Sequence, residues 1–358
     1  MSEQPPPPLS TAGSVPPDPD RPVPLERRGP APGAPAGARR GLGSGAARTV
    51  GLVIALALLC VVGVATAGER FASVDNLLTI LRLAAVIGVL SIGMTFVITG
   101  GGIDLSVGSV LGLASVWATT LATQTMAEDT HWLLMVSTAL LVGTACGVVN
   151  GVLIAYGRVV AFIATLAMMV AARGLAEIIA NRRTQIVRVE SFKDAFQGNV
   201  LGIPVLVWLF ALVAAAGWVV LNRTTFGRRT VAVGGNPEAA RLAGIKVRRH
   251  TAYLYALSGL TAGIAAVMML ARTTAGSSTN GQFYELDAIA AVVIGGTLLA
   301  GGRGSIVGTV FGVLIFSTLT NVFTQNNLSI SAQSVAKGAI IVVAVLLQQR
   351  FAARSRGA

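Results

Sequence analysis

Cysteine and histidine are scarce, with two of each in 358 residues. Cys60 and Cys146 both sit inside apolar runs, which excludes a disulfide framework, and nothing has the Cys-x-x-Cys spacing of a metal or redox site. His131 and His250 lie far apart, with no companions at ligand spacing. Charge is also thin, at 12% of residues, and the acids are thinner than the bases: 15 Asp and Glu against 27 Lys and Arg, a net charge of +12. In a soluble chain that excess would raise nucleic acid as a partner. Here the bases fall in loops and tails between apolar runs and the aromatics do not interleave with them, so nucleic acid is excluded. The chain has no GxxxxGK[ST] loop, no HExxH and no GxSxG. It is therefore read as not an enzyme, with no ATPase site and no cofactor of its own. If it moves a solute actively, the energy comes from a partner or from an ion gradient.

What the chain does have is apolar length. Hydrophobic residues make up 53% of it, there are 42 glycines, and the mean hydropathy is +0.72. This is the composition of an all-α integral membrane protein, its glycines letting helices approach closely. With about 20 apolar residues per crossing, about ten transmembrane helices are expected: 50–67, 77–99, 107–123, 132–156, 160–180, 203–221, 251–271, 288–300, 306–323 and 335–348. The eighth is short and flanked by Gly-rich breaks, which suggests a discontinuous or tilted helix. LVGTACGVVNGVLI at 141–154 echoes IVGTVFGVLIFSTL at 306–319 on spans of opposite direction, the relation an inverted repeat produces. The ladder Gly143, Gly147, Gly151 and the shorter pair Gly308, Gly312 read as helix-packing seams.

Three regions follow. Residues 1–48 form a Pro/Gly/Arg-rich tail with too little apolar surface to fold, expected to be disordered and cytoplasmic. Residues 49–350 form the membrane domain, with a basic loop at 222–250. Residues 351–358 form a second cytoplasmic tail. The positive-inside rule places both termini in the cytoplasm of a cell membrane, with membrane lipid around the spans. Arg182, Arg183 and Arg188 break the rule by falling outside, partly balanced by Glu190 and Asp194.

Within 222–250 a short helix is marked at both ends. Asn236 can N-cap, Pro237 suits the first helical position, and Glu238 complements the dipole in the first turn. Ala239, Ala240, Arg241, Leu242 and Ala243 continue the helix, and Gly244 fits the C′ position. The element, from Gly235 to Gly244, is too short to be stable alone. Its packed face is expected to be Ala239, Leu242 and Ala243. Two readings stand: a lever that a cytoplasmic partner pushes, or an interfacial loop that merely obeys charge topology.

Other polar residues carry paired readings. Asp104, in GGGIDLSVGS, is a gate or contact residue, or else the cap of the helix that follows, assisted by Ser106. Arg82, Arg173, Glu177 and Lys337 lie toward the outer ends of spans, with Glu285 and Asp287 at an outer mouth. They form a polar vestibule or docking rim for an external protein, or else snorkel and pair locally, Arg173 with Glu177. Ser91, Thr95 and Asn150 line a solute path or bond between helices. No acid is seen near the midplane, which argues against a proton- or sodium-driven carrier.

Four blocks in order, GMTFVITGGGIDLSVGSVLGL, GRVVAFIATLAMMVAARG, TFGRRTVAVGGNPEAARLAGI and YELDAIAAVVIGGTLLAGGRGSIVGTVFGVL, resemble the permease subunits of bacterial ABC importers for sugars of the ribose, xylose, arabinose and galactose type. The resemblance runs from about residue 71 to about 349, leaving out the Pro-rich tail. It implies a second permease subunit, identical or not, lining one path; cytoplasmic ABC ATPase domains that bind the ATP and Mg; and an extracellular sugar-binding protein. It also implies that 234–245 is the segment that contacts the ATPase. The family's GIDLS and ELDAIAA motifs match 102–106 and 285–291, without an assigned sugar contact. The alternatives are an importer of another small solute, such as a nucleoside or branched-chain amino acid, a gradient-driven secondary transporter, or a scaffold that transports nothing.

Overall fold

The computed structural model describes residues 42–354. By internal contacts the chain divides into Met1–Ser44 and Gly45–Ala358, and the architecture below is that of the second unit. Among the described residues fifteen helices follow one another: α1 (Leu42–Ala67), α2 (Glu69–Ala72), α3 (Val74–Thr99), α4 (Val107–Ala118), α5 (Leu121–Asp129), α6 (Leu133–Ala155), α7 (Ala161–Ala180), α8 (Glu190–Gln197), α9 (Val205–Arg223), α10 (Thr225–Gly235), α11 (Pro237–Leu242), α12 (Val247–Thr273), α13 (Tyr284–Ile294), α14 (Ile306–Gln325) and α15 (Ile330–Arg354). The only strands among the described residues are two short antiparallel pairs, Gln185–Ile186 with Ala275–Gly276 and Asn199–Val200 with Ile203–Pro204.

Seven of the described helices, α1, α3, α6, α7, α9, α12 and α14, are long and apolar enough to cross a membrane. The short apolar α4, the 11-residue α13 and the 25-residue α15 account for the remaining apolar segments read from the sequence. Several boundaries differ from the expectation. α1 begins at Leu42, so 42–48 is helical rather than part of a disordered tail, while the reading of 1–41 lies outside the described residues. α15 runs to Arg354, so 351–354 continues a helix and 355–358 lies outside the described residues. The third apolar run breaks at Thr119–Thr120, where Thr120 N-caps α5 by accepting from the Thr123 amide. The eighth begins earlier and ends sooner, as α13.

Of the long helices α3 and α12 are the most buried and α1 the least. The glycine ladder of α6 lies along α12. A Cβ on Gly143 would press on Gly259 and Gly263, one on Gly147 on Gly259, and one on Gly151 on Ala252. Only hydrogen at those positions allows two backbones to approach so closely, and the gain is van der Waals contact over the whole seam. α13 and α14 are joined the same way: Gly308 meets Gly295, and Gly312 meets Ala291. The segments 141–154 and 306–319 that echo each other thus fall in α6 and α14, each packed through glycines on a neighbour.

Neither α4 nor α13 spans the bundle. α3 ends at Thr99, and residues 100–106 turn back inside the protein, where the Asp104 carboxylate meets Ser258 near the middle of α12. α4 starts there and runs toward the pair Gln185–Ile186 and Ala275–Gly276. The chain then descends alongside it: Gly276 lies against Ser115 and Thr119, Asn280 against Gly112, and Gly281 with Glu285 against Gly108. α13 therefore begins beside the start of α4, within the bundle, and carries on toward the opposite face.

At the α5 end, Asn76 and Asn321 exchange amide hydrogen bonds of 3.1 and 2.8 Å, and Gln325 donates to Asn76 at 3.0 Å. Both asparagines are buried, tying α3 to α14. Asn321→Leu should lower stability by about 1 kcal/mol, measured as a lower unfolding midpoint in detergent.

Candidate functional site

The basic segment after α9, a loop by its composition, is instead helical at Thr225–Gly235. Its residues are mediocre helix formers, and tertiary burial overrides that. Thr224 N-caps α10 by accepting from the Gly227 amide. Gly227, Thr230 and Val233, spaced three apart, form its buried face. Thr230 Oγ1 lies 2.9 Å from Nε2 of the buried His250, and the Phe226 ring packs on both Phe96 and His250. α10 is thus clamped to α3 and α12, while Arg228 and Arg229 face outward.

α11 follows without a break. Asn236 Oδ1 accepts from the amides of Glu238 and Ala239 at 3.1 and 3.0 Å, and Pro237 occupies the first turn. At the other end the Gly244 amide donates to Arg241 and the Ile245 amide to Ala240, each at 3.0 Å, with Gly244 at φ +83°. That is a Schellman closure, which needs a residue tolerant of positive φ at C′. Glu238 and Arg241 pair at 2.5 Å in the open. The hydrogen bond and charge of Arg241 hold the Glu238 carboxyl below its ordinary range.

The packed face of α11 is not the expected one. Ala240 is the buried residue, whereas Ala239, Leu242 and Ala243 are exposed and Leu242 is 76% exposed. The small Ala240 lets the helix lie close to its neighbours, so the larger apolar residues turn away from the protein. Beside it lies a cavity of about 490 Å³ with Arg229, Lys246 and Arg249 in its lining.

The joint between α10 and α11 rests on a glycine junction that spacing arguments do not single out. The Gly302 amide donates to the Thr99 carbonyl at 2.9 Å. A Cβ on Gly234 would overlap that same carbonyl oxygen and come 2.7 Å from the Gly302 nitrogen. Gly101, Gly301 and Gly302 all have positive φ. The end of α3, the α10–α11 joint and the connection between α13 and α14 therefore meet backbone to backbone. The signal in the sequence is the set of glycine runs at 100–102, 234–235 and 301–302.

Asp104 is 1% exposed. One of its carboxylate oxygens accepts from the Ser106 amide and hydroxyl at 2.9 and 2.6 Å, and the other accepts from the Ser258 hydroxyl at 2.7 Å. Asn150 donates to Ser106 at 2.9 Å. This network joins the start of α4 to α6 and α12. Ser91 donates to Ile87 within α3, and Thr95 meets Thr309 of α14 at 2.8 Å. Ser91, Thr95 and Asn150 are fully buried.

Of the six residues of the expected outer rim, Arg173, Glu177 and Glu285 line one cavity and Asp287 pairs with Lys337, while Arg82 lies in neither group. Arg82 is half-buried on α3. Arg173 does not pair with Glu177 as expected: its Nη1 donates to the carbonyls of Ser278 and Asn280, which approach from the descending segment, and Glu177 pairs with Arg182 at 3.4 Å. Asp287 pairs with Lys337 at 3.1 Å, linking α13 to α15. Glu285 and Asp287 are 7% and 8% exposed, inside the bundle rather than on an open mouth. Buried acids are thus present at the depth of the α4 start, where the sequence pattern shows none.

Residues 76–345 match the family model described as "Branched-chain amino acid transport system / permease component". The "Ribose import permease protein RbsC" of Haemophilus influenzae is 40% identical over 301 residues, 83% of this chain and 90% of that protein. The protein of the same name in Bacillus subtilis is 40% identical over 311 residues, 86% of this chain and 95% of that protein. The "L-arabinose transport system permease protein AraH" of Escherichia coli is 38% identical over 288 residues, 78% of this chain and 84% of that protein. No solved structure matches.

Proposed function

The chain belongs to the family of permease components of bacterial ABC sugar importers, and we propose that within such an importer α11 is the element through which a cytoplasmic ATPase drives it. It is a multi-pass membrane protein and the permease subunit of a monosaccharide importer. The observation that carries this is the 40% identity to ribose permeases over nearly their whole length. The relatives named for ribose and arabinose favour a pentose over a nucleoside or an amino acid.

The orientation follows from charge. Arg223, Arg228, Arg229, Lys246, Arg248, Arg249 and Arg303 gather on the α11 face, which the positive-inside rule makes cytoplasmic, and both termini go with it. A partner ATPase supplies ATP and Mg, an extracellular binding protein supplies the sugar, and a second permease subunit completes the path. The ATPase closes on nucleotide and carries α11 with it as a rigid body. The glycine junction passes the displacement to α3 and to the α13–α14 connection, and the packed helices re-tilt.

The test is reconstitution. Proteoliposomes holding the chain with its ATPase and binding protein should take up ribose or arabinose only when ATP is supplied, and the chain alone should take up none. Full-rate uptake without nucleotide would overturn the reading. Asn236→Ala tests the lever separately. Loss of the cap costs about 1 kcal/mol of local stability, so uptake should fall about fivefold with the complex intact, and Asn236→Asp should restore it.

A further inference from the structure

Two half-length helices start side by side inside the bundle, and a cavity opens between their starts and α7. α4 and α13 both begin there, and neither receives a side-chain cap from the residue that precedes it. The first amides of a helix have no partner within it and carry the positive end of the dipole. Glu285, in the first turn of α13, lies against Gly108 in the first turn of α4, where a Cβ would overlap its Oε2. That oxygen is buried and has no hydrogen-bond partner. Arg173 does not satisfy it, since the Arg173 Nη1 donates to the carbonyls of Ser278 and Asn280.

The cavity, about 400 Å³, has Ser109, Arg173, Glu177, Gln282, Phe283 and Glu285 in its lining, with small and apolar residues of α7 completing it, a size within the range of small-molecule sites. Phe283 holds φ +65°, a conformation unfavourable for a bulky residue and one that accumulates at ligand sites. A buried acceptor without a donor is costly. Here it sits among a guanidinium, an amide and a hydroxyl, beside an exposed aromatic face. Sugar hydroxyls both donate and accept, and the apolar face of a sugar ring suits an aromatic, so a neutral polyol answers the whole set. A bare cation would use the carboxylates but neither Arg173 nor Phe283.

We propose that this cavity is a sugar-contact site on the translocation path, with Glu285 accepting from a solute hydroxyl, Ser109 and Gln282 bonding others, and Phe283 covering the ring. The proposal rests on the importer reading above and adds to it where inside the permease the solute is touched.

The experiment uses the full complex with its ATPase and binding protein in proteoliposomes, with D-ribose and L-arabinose as probes. Glu285→Gln keeps the shape and removes the charged acceptor, so uptake should fall about tenfold or more while ATP hydrolysis stimulated by the binding protein persists. Independently, Met169→Cys, at a residue of the cavity lining with no part in the proposed sugar contacts, in a chain with Cys60 and Cys146 replaced by Ala, is labelled with a small thiol reagent during turnover. The transported sugar should slow that labelling severalfold in the chain with Glu285 intact, and not in the Glu285→Gln form. This second arm requires no change at Glu285, so it still decides if Glu285→Gln fails to assemble. Wild-type uptake in Glu285→Gln, or labelling of the Met169→Cys thiol indifferent to sugar in a complex that transports, overturns the site while leaving the importer standing. A complete complex that imports neither sugar, with ATP present, overturns the pentose-importer reading, and the site falls with it.

Discussion

Replacing Leu242 with Asp should leave the permease inserted and folded yet cut coupled sugar uptake about thirtyfold or more, while the partner ATPase continues to hydrolyse ATP. The side chain is 76% exposed and sits with Ala239 and Ala243 on an apolar face of α11 turned away from the protein. It therefore adds almost nothing to the fold, and the substitution removes no core contact. In a partner's cleft the same leucine would be desolvated, contributing about 1.5–3 kcal/mol, and an aspartate placed there would be a buried, unpaired charge. Graded substitutions sharpen the test. Leu242→Met preserves volume and should behave nearly as wild type, and Leu242→Ala should be intermediate. The neighbouring Glu238–Arg241 pair lies in solvent, where water screens it, and serves mainly to hold the helix. Uptake and hydrolysis are measured together in proteoliposomes. Normal coupled uptake by Leu242→Asp would refute the lever role of α11.

How much of this was legible in the sequence depends on how local the cause is. α11 could be read residue by residue because its caps lie within its own ten positions: an asparagine before, a proline inside and a glycine after. Which face it buries could not be read that way, since Ala240 is favoured only by the closeness of the surrounding helices. α10 escaped notice for a related reason. Thr225, Thr230, Val231 and Val233 are β-branched and three glycines are interspersed, so propensity argues against a helix that burial on α3 and α12 then enforces. Hydropathy located the apolar runs that became α4 and α13 but carried no information on depth. Only the ladder of Gly276, Asn280 and Gly281 along α4 shows that α13 starts inside. The spacing of Arg173 and Glu177 permitted a pair along one helix. The carbonyls of Ser278 and Asn280, distant in sequence, took the guanidinium instead.

The second large effect is expected at Gly234, with a different signature. Its φ is not in the left-handed region, so conformational freedom is not what requires glycine there. Space is: a Cβ would overlap the Thr99 carbonyl oxygen and stand 2.7 Å from the Gly302 nitrogen, both backbone atoms that cannot rotate aside. Gly234→Val must therefore push α10 off the end of α3 and strain the 2.9 Å bond from Gly302 to Thr99, a cost of about 1–3 kcal/mol for overpacking and more if that bond opens. The α11 surface is untouched, so the ATPase should still bind with near-normal affinity, unlike the Leu242→Asp case, where docking itself weakens. What should be lost is transmission: sugar uptake falls to background, and the binding protein no longer stimulates hydrolysis. Gly235→Ala, one residue away, is the control. Its Cβ would meet only the Gly302 Cα, at 3.9 Å, an ordinary contact, so transport should stay close to wild type. Adjacent glycines with opposite outcomes would assign the relay to the backbone contact at Gly234. Equal transport by Gly234→Val and Gly235→Ala would mean that motion of α11 reaches the membrane helices by another route, through the anchor of α10 on His250 and Phe96.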